Sequence, residues 1–358
     1  MQKKIRIAVI GTGNISECHI EAYKKHPEVE LVALCDIDPE RVLAKAAKHG
    51  LPAERAFTDK AEMLRKHPEI DAVSVCTWNN AHAACSIAAL KAGKHVLCEK
   101  PMAMNAREAQ AMQAAADKAG KLLMIGFVRR HGNDAHIVKD FVDQGFFGEI
   151  YYTKAAYLRR NGNPGGWFGD RSRSGGGPLI DLGVHVIDLV RYVIGNPQPV
   201  SVYGATFHKL GNRAHIKSTK AYQAAGARSG RGDICDVEDL ATAMIRFDNG
   251  TVLSVEASFS LNIKTGRGDI EFFGTKAGAK LDPKIEIFSE INNYLVNVDF
   301  ADDTALSFTG LFENEINHFV DCVAGRKTCI APGEDGVVLM RILDAIYKSA
   351  TTGHEVRL

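Results

Sequence analysis

The chain has 358 residues, of which 46% are hydrophobic and 24% are charged, so its length and composition predict a globular protein of about two domains. The formal net charge is +1, which gives no reason to expect a nucleic-acid or membrane-surface partner. No apolar stretch approaches the length of a membrane helix, and the N-terminal residues lead into a strand without a signal-like region. We therefore expect a cytoplasmic protein without a membrane anchor.

The eight cysteines show no CxxC or CxxH spacing, and several lie within strand-like runs. Reduced, buried thiols explain this pattern better than disulfides or a zinc site. We expect no bound metal.

A glycine turn near the N-terminus predicts a dinucleotide-binding site. Residues 5–10 form a buried-strand run, Gly11 and Gly13 follow, residues 17–26 have a helical pattern, and a second strand at 29–35 ends at Asp36. This order of strand, glycine turn, helix, strand and acid is the context that the motif requires. Gly11 would permit the tight turn, and Gly13 would let the backbone approach a pyrophosphate at the helix N-terminus. Ser16 stands where a third glycine is usual and is small enough to replace it.

Asp36 bears on the choice between NAD and NADP. A carboxylate at the end of the second strand accepts hydrogen bonds from the adenosine ribose and repels a 2′-phosphate. The next residue, Ile37, offers such a phosphate no partner. NAD is therefore favoured over NADP, and Arg41 is the nearby residue that keeps NADP open.

Beyond this motif, helices and strands alternate through residue 127. Asp38 with Pro39 and Asp59 with Glu62 have the spacing of helix N-termini, and helices are predicted at 81–92 and 106–119, with strands at 71–76, 95–98 and 122–127. Such alternation predicts a doubly wound parallel sheet, hence an α/β Rossmann domain over residues 1–127.

Residues 128–358 predict an α+β domain with a large, mostly antiparallel open sheet. A helix is expected at 134–144 and two more at 312–324 and 334–350. Strands are expected at 149–159, 200–208, 239–248, 251–261, 269–274, 284–289 and 294–300. Asn249-Gly250 predicts a hairpin turn between two of these strands.

Lys100 follows the predicted strand 95–98 and precedes Pro101. Ligands of open α/β sheets bind at the carboxyl ends of the strands, so this lysine is expected to point into a cleft. The alternative is an ordinary lysine at a strand end, next to a turn proline.

A second candidate site lies at residues 175–188. If this segment is helical, Asp181 and His185 share one face, and Asp188 and Tyr192 continue it. A histidine oriented by a carboxylate is suited to act as a general base. The alternative is an ion pair on a helix surface. Gly183 and the three glycines at 175–177 favour the first interpretation, because they indicate close approach of another backbone or a ligand.

Over nearly its whole length the chain resembles the Gfo/Idh/MocA oxidoreductases, the family of glucose–fructose oxidoreductase and inositol 2-dehydrogenase. The motifs that carry the resemblance are the Gly11 turn with His19, the segments 35–39, 92–101 and 126–130, and the Asp181/His185 helix. The resemblance implies NAD(P)-linked oxidation of a secondary alcohol on a sugar, sugar derivative or cyclitol by a homodimer or homotetramer. It also implies that Lys100, Asp181 and His185 are the catalytic residues.

In the corresponding reaction, His185 removes the hydroxyl proton while hydride leaves to NAD⁺. Lys100 stabilises the developing alkoxide, and Asp181 orients His185. Thr77, Asn79 and His82 match the family's cofactor-side loop, with Trp78 where proline is usual. The full set expected to bind the cofactor is Gly11, Thr12, Gly13, Asn14, Ile15, Asp36, Ile37, Arg41, Thr77, Trp78, Asn79, His82, Glu99, Lys100 and Arg129.

Two loops bear on the substrate. Residues 159–168 combine Arg159, Asn163 and Trp167 with several glycines, which suits a polyol that has hydroxyl rims and apolar CH faces. We expect these three residues to bind substrate together with Lys100, Asp181 and His185, the alternative being a plain surface loop. The basic insertion at 208–232 is expected to be a lid, a subunit-crossing arm or a solvated loop.

Two other functions are compatible with the same residues. One is an NAD-dependent glycosidase, which oxidises its substrate transiently, eliminates the glycosidic bond and returns the hydride. The other is a non-catalytic NAD- or sugar-binding regulator. Net accumulation of NADH separates a dehydrogenase from the glycosidase, and the presence of Lys100, Asp181 and His185 argues against the regulator.

Overall fold

In the computed structural model, the residues described are 4–213, 215–217, 223–224 and 234–358. The chain forms two compact units: residues 1–128 with 309–337, and residues 129–308 with 338–358. Residues 309–337, which the sequence analysis places in the second domain, thus group with the first unit. That the chain divides near residue 127 into two domains remains a prediction.

The first unit is built on a parallel sheet with strand order β3-β2-β1-β4-β5-β6. Its strands are β1 (Ile5–Ile10), β2 (Val29–Cys35), β3 (Ala56–Phe57), β4 (Ala72–Val75), β5 (His95–Glu99) and β6 (Leu123–Gly126). Helices α1 (Asn14–Lys25), α2 (Pro39–Lys48), α3 (Lys60–Lys66), α4 (Asn79–Lys91) and α5 (Ala106–Ala119) connect them. This arrangement confirms the predicted doubly wound α/β domain.

Helix starts in this unit follow the local chemistry of the sequence. The Asp38 carboxylate accepts hydrogen bonds from the amides of Glu40 and Arg41 at the start of α2, and Asp59 accepts from Glu62 N at the start of α3. Both N-caps were predicted. Each satisfies backbone N–H groups that have no partner within the helix.

The second unit is an α+β domain, as predicted. It contains α6 (Asn133–Asp143), β7 (Ile150–Leu158), α7 (Arg171–Ser174), a π-turn (Leu179–Gly183), α8 (Val184–Val193), β8 (Pro199–Phe207), β9 (Leu240–Phe247), β10 (Val252–Ser258), β11 (Arg267–Gly274), β12 (Ala277–Lys280), β13 (Glu286–Ile291) and β14 (Tyr294–Val298). The C-terminal part of the chain adds α9 (Leu311–Val323), α10 (Gly333–Thr352) and β15 (Val356–Arg357). By residue range, α9 and the first turn of α10 belong to the first unit, and the rest of α10 to the second.

Among the described residues, nine strands of the second unit form one sheet in the order β14-β13-β12-β11-β7-β10-β9-β8-β15. The β7–β10 pair is parallel and the remaining pairs are antiparallel. The predicted Asn-Gly hairpin joins β9 to β10, with Gly250 at φ +88° and the amide of Thr251 donating to the Asn249 side chain.

One expectation about this sheet is wrong. The alternation of apolar and polar residues in two strands predicts an uncovered, subunit-binding face that contains Leu253, Val255, Ala257, Phe259, Ile270 and Phe272. All six are at most 2% exposed. The reason is that the π-turn packs on β10 and α8 on β7, and Leu182 of that turn forms a core cluster with Ala257 and Phe259.

The opposite face of the sheet is the exposed one. Tyr203 and Met244 are paired across β8 and β9 and are 55% and 54% exposed. Within the described part of the chain, no helix is long and apolar enough to cross a lipid bilayer.

Candidate active site

The glycine turn after β1 has the geometry that its sequence predicts. Gly11 has φ +92°, and a Cβ atom there would lie 2.5 Å from the carbonyl of Cys76 in the loop after β4, so only glycine fits. Gly13 is the N-cap of α1 and makes no side-chain cap. Among the described residues, apart from its chain neighbours, no atom lies within 4 Å of where its Cβ would be. Ser16 Oγ donates to Gly13 O at 2.7 Å from within the first turn of α1, after Asn14 and Ile15. The open space and uncapped helix N-terminus fit the pyrophosphate of a dinucleotide.

Asp36 holds this turn by hydrogen bonds and is also a candidate ligand for the cofactor ribose. Its Oδ2 accepts from Thr12 N at 2.7 Å and Thr12 Oγ1 at 2.9 Å, and its Oδ1 accepts from Asp38 N at 3.0 Å. Ile37 is 85% exposed. Arg41 already has two acidic neighbours, with Nη2 at 3.0 Å from Asp38 Oδ2 and Nη1 at 3.6 Å from Asp36 Oδ1.

The loop between β4 and α4 is tied to the end of β5 by a buried histidine. The His82 ring nitrogens lie 2.7 Å from Pro101 O and 3.1 Å from Thr77 O, and burial lowers the pKa of His82. Asn79 is buried beside it, whereas Trp78 is 37% exposed. His82 therefore connects two of the loops expected to bind cofactor, a role that the sequence did not show.

Lys100 directly follows β5 and is half-buried. Its amide donates to Glu99 Oε2 at 3.1 Å, and the Lys100–Pro101 peptide is cis. The Glu99 carboxylate is buried and lies 2.9 Å from His19 Nε2, while His19 Nδ1 contacts Ser74 Oγ at 3.2 Å. Burial alone would raise the pKa of Glu99, but the hydrogen bond from His19 holds it below its usual value. The Glu99 side chain therefore lies in the core and is hydrogen-bonded to the amide of Lys100.

In the second unit, Asp181 lies in the π-turn and His185 in the first turn of α8, and both are half-buried. The single regular helix that the sequence predicts is therefore interrupted. A Cβ at Gly183 would lie 3.0 Å from Leu179 Cδ1 and 3.6 Å from Ala257 Cβ, so the turn packs closely on itself and lies against β10. Turns of this kind are frequent at functional sites.

Asp188 and Tyr192, which are predicted to continue the helix face of Asp181 and His185, both contact Arg130. Asp188 is buried and accepts from Arg130 Nε at 2.9 Å and Nη2 at 2.6 Å, and the Arg130 guanidinium lies 4.9 Å from the centre of the Tyr192 ring. This bidentate pair joins α8 to the segment that precedes α6. Arg129, which is expected to bind the cofactor, donates to Asp134 Oδ2 at 2.7 Å.

The glycines before this helix are explained by close approach within the second unit. A Cβ at Gly177 would lie 2.3 Å from Glu238 O, and one at Gly176 would lie 2.0 Å from the Tyr347 hydroxyl oxygen. The predicted approach of another backbone is therefore confirmed for Gly177, and at Gly176 the neighbour is a side chain.

The candidate substrate loop contains residues with different surroundings. Asn163 is 2% exposed, and its side chain accepts from Gly165 N and donates to Cys235 Sγ, so it stabilises the loop from inside. Arg159 and Trp167 are half-buried; Arg159 lies over the Tyr157 ring at 5.3 Å, and Trp167 packs on Phe168 with ring centres 4.0 Å apart. Of the basic insertion at 208–232, Lys220, Arg228 and Arg231 lie outside the described residues.

Comparison with known proteins identifies relatives along the whole chain. Residues 5–127 match the Gfo/Idh/MocA oxidoreductase family, NAD-binding Rossmann fold, and residues 139–358 match the C-terminal alpha/beta domain of that family. D-glucoside 3-dehydrogenase of Escherichia coli K12 is 35% identical over 360 residues, which cover 99% of this chain and 97% of that protein. scyllo-Inositol 2-dehydrogenase (NAD(+)) of Bacillus subtilis 168 is 27% identical over 367 residues, covering 100% and 97%. The solved structure of an oxidoreductase domain protein from Kribbella flavida has a TM-score of 0.85 at 27% identity and covers 100% of this chain and 99% of that chain.

Proposed function

Since the chain belongs to the Gfo/Idh/MocA oxidoreductase family, we propose that it transfers hydride between NAD and a secondary alcohol of a sugar, sugar derivative or cyclitol. The observation that carries this proposal is the 35% identity to a D-glucoside 3-dehydrogenase across nearly the whole length of both chains. The 3-hydroxyl of a glucoside is therefore the first position to test, and a cyclitol hydroxyl is the second.

The residues of the first unit fit the cofactor. The uncapped start of α1 and the open space over Gly13 suit a pyrophosphate, and Asp36 suits the ribose hydroxyls. When bound, NAD supplies the hydride acceptor. Arg41 faces Asp36 and Asp38, so a 2′-phosphate would meet two carboxylates at this place, which supports NAD as the preferred cofactor.

In the proposed reaction, each of three side chains has one task. His185 takes the proton of the substrate hydroxyl as general base. The Lys100 ammonium stabilises the negative charge that develops on that oxygen. Asp181 orients His185. Reduction of a ketone runs through the same groups in reverse.

A substrate screen tests the proposal. The purified protein is incubated with NAD⁺ and a panel of glucosides, free sugars and cyclitols, NADH is followed by absorbance, and products are identified by NMR. We expect NADH to accumulate with at least one pyranoside or cyclitol. Release of aglycone without net NADH would instead support the NAD-dependent glycosidase.

Variants test the assigned roles. Lys100→Met and His185→Ala should each reduce kcat by at least about 10²-fold, the scale of a lost general base or oxyanion donor, with folding and NAD⁺ affinity nearly unchanged. His185→Ala should recover part of its activity at high pH, where hydroxide replaces the base. Wild-type turnover in either variant would remove that residue from the mechanism.

We also propose that the chain forms a homodimer or homotetramer through the exposed face of the nine-stranded sheet. The Tyr203–Met244 pair and the stacked Tyr152 and Phe273 rings, 5.6 Å apart, give this face apolar surface among charged residues. Exposed apolar groups on a broad sheet face support association with a second copy.

A further inference from the structure

A buried carboxylate from a distant part of the chain holds the start of the Asp181/His185 helix. The first backbone amides of a helix have no partner within it and require an external acceptor. Here Pro178 has no N–H, and the amides on either side of it both donate to Glu238. Gly177 N lies 3.0 Å from each oxygen of this carboxylate, and Leu179 N lies 3.2 Å from Oε1.

Tyr347 of α10 completes this arrangement. Its hydroxyl donates to Glu238 Oε1 at 2.9 Å, and the Arg171 guanidinium lies over its ring at 5.4 Å. Burial and the Glu238 charge raise the pKa of Tyr347 well above its usual value, so the hydroxyl stays a donor. Glu238 itself is 2% exposed, and three donors converge on its Oε1.

These contacts act directly on the turn that carries the proposed catalytic carboxylate. Asp181 N donates to Gly177 O at 3.0 Å, and this carbonyl belongs to the peptide that lies between the two amides held by Glu238. The π-turn continues into α8 without a break, and a rotation at residues 177–179 would therefore move Asp181 and His185 together.

We infer that Glu238 and Tyr347 are positioning residues for Asp181 and His185, an inference that rests on the proposed function. They fix the backbone that presents the general base and its carboxylate partner, without contact to the substrate. The local sequence supports this role, because Gly176 and Gly177 leave the space that Tyr347 and Glu238 occupy. A misplacement of about 1 Å can cost a reaction up to about 10²-fold in rate.

The test compares Tyr347→Phe with a matched control on the same helix. Tyr347→Phe removes one hydroxyl and keeps the ring. Ser349→Ala also removes one buried hydroxyl from α10, but that hydroxyl accepts from Gly204 N at 2.9 Å and donates to His354 O at 2.7 Å, away from the π-turn. Glu238→Gln keeps one acceptor oxygen and places an NH2 group among the donors, so its effect should exceed that of Tyr347→Phe.

Three quantities are measured for each variant: melting temperature, NAD⁺ affinity by calorimetry, and kcat and KM with the substrate found in the screen. We expect Tyr347→Phe to lower kcat by about 10-fold, well within the range for misplaced groups, with KM and NAD⁺ affinity nearly unchanged. Ser349→Ala should lower the melting temperature to a similar degree and leave kcat unchanged.

A readout that needs no turnover separates this inference from the proposed function. The NMR resonances of the His185 ring report its surroundings directly, and they should shift in Tyr347→Phe and Glu238→Gln but not in Ser349→Ala. If they do not shift, or if kcat falls no further than in Ser349→Ala, the two residues are merely structural and the inference is overturned. The proposed function fails on other grounds, namely when the wild-type protein oxidises no sugar or cyclitol.

Discussion

At the level of single residues, Glu315 of α9 is an acid in an unusual environment. Its side chain is fully buried, and among the described residues neither carboxyl oxygen has a hydrogen-bond partner. A carboxyl oxygen of Glu315 lies within 4.8 Å of a ring nitrogen of His19 and of a carboxyl oxygen of Glu99. Burial, with the nearby Glu99 charge, raises the pKa of Glu315 well above its usual value. The folded protein therefore favours the protonated acid.

The raised pKa of Glu315 makes the free energy of unfolding fall as pH rises. A raised pKa in the folded state contributes stability that is complete below the unfolded-state pKa of about 4.3 and is lost as pH rises through the folded-state value. Glu315→Gln is neutral at every pH, so its free energy of unfolding should increase relative to wild type as pH rises. Urea unfolding from mildly acidic to mildly alkaline pH measures the difference. Glu313→Gln, an exposed site on the same helix, is the control, and an equal pH dependence in wild type and Glu315→Gln would contradict the buried neutral acid.

The choice of cofactor is also decided by single residues. We expect NAD⁺ to bind more tightly than NADP⁺ in calorimetric titrations, because Asp36 would face the 2′-phosphate. Asp36→Ala should reduce the difference between the NAD⁺ and NADP⁺ affinities. It should also weaken NAD⁺ binding, because Thr12 loses both hydrogen bonds that hold the glycine turn. If Asp36→Ala binds NADP⁺ more tightly than the wild type does, the double variant with Arg41→Ala should lose that gain in affinity. Equal or tighter NADP⁺ binding by the wild type would refute the preference.

At the level of elements, the turn between β1 and α1 contains two glycines with different duties. Gly11→Ala would place a methyl group against the Cys76 carbonyl at a positive φ and should destabilise the fold by about 1–3 kcal/mol or more. The methyl group of Gly13→Ala meets no atom within 4 Å in the part of the chain that the structure describes, its chain neighbours apart. The variant should change the free energy of unfolding by less than about 0.5 kcal/mol while weakening NAD⁺ binding. Chemical unfolding and calorimetry measure both effects. Wild-type NAD⁺ affinity in Gly13→Ala would show that the pyrophosphate does not approach this residue.

Elements set by local chemistry could be predicted, and those set by distant partners could not. Asp38, Asp59 and Asn249-Gly250 mark boundaries because their side chains or dihedral angles act within a few residues. By contrast, β15 is a two-residue strand that pairs with β8, more than 150 residues earlier in the chain, and the π-turn lies against β10, about 75 residues later. Alternation in β10 showed which residues share a face but not which face the helices cover.

The candidate site shows the same limit. Lys100, Asp181 and His185 could be proposed from motifs, since each stands beside glycines or a strand end that can be recognised locally. Glu238 lies 61 residues after the amide of Gly177 that it accepts from, and no pattern around it indicates that partner. Its role became visible only when the fold brought the two segments together.

At the level of the whole molecule, the corrected sheet face gives an oligomerisation test. Light scattering at micromolar concentration should report a dimer or tetramer. Met244→Glu places a charge at a 54% exposed position of the face and should shift the protein toward monomer, whereas Leu43→Glu, at a 46% exposed position of α2, should not. A wild-type monomer would refute the interface.

The return of residues 309–337 to the first unit has a consequence for biosynthesis. The helix α9 packs on α1 and brings Glu315 to His19 and Glu99, yet it leaves the ribosome roughly 180 residues after Val128. At about 5–20 residues per second, the emerging nucleotide-binding half waits on the order of ten to thirty seconds for its last helix. During that interval α1 lacks the helix that packs on it in the folded protein, and apolar surface exposed in this way is what makes folding intermediates prone to aggregate.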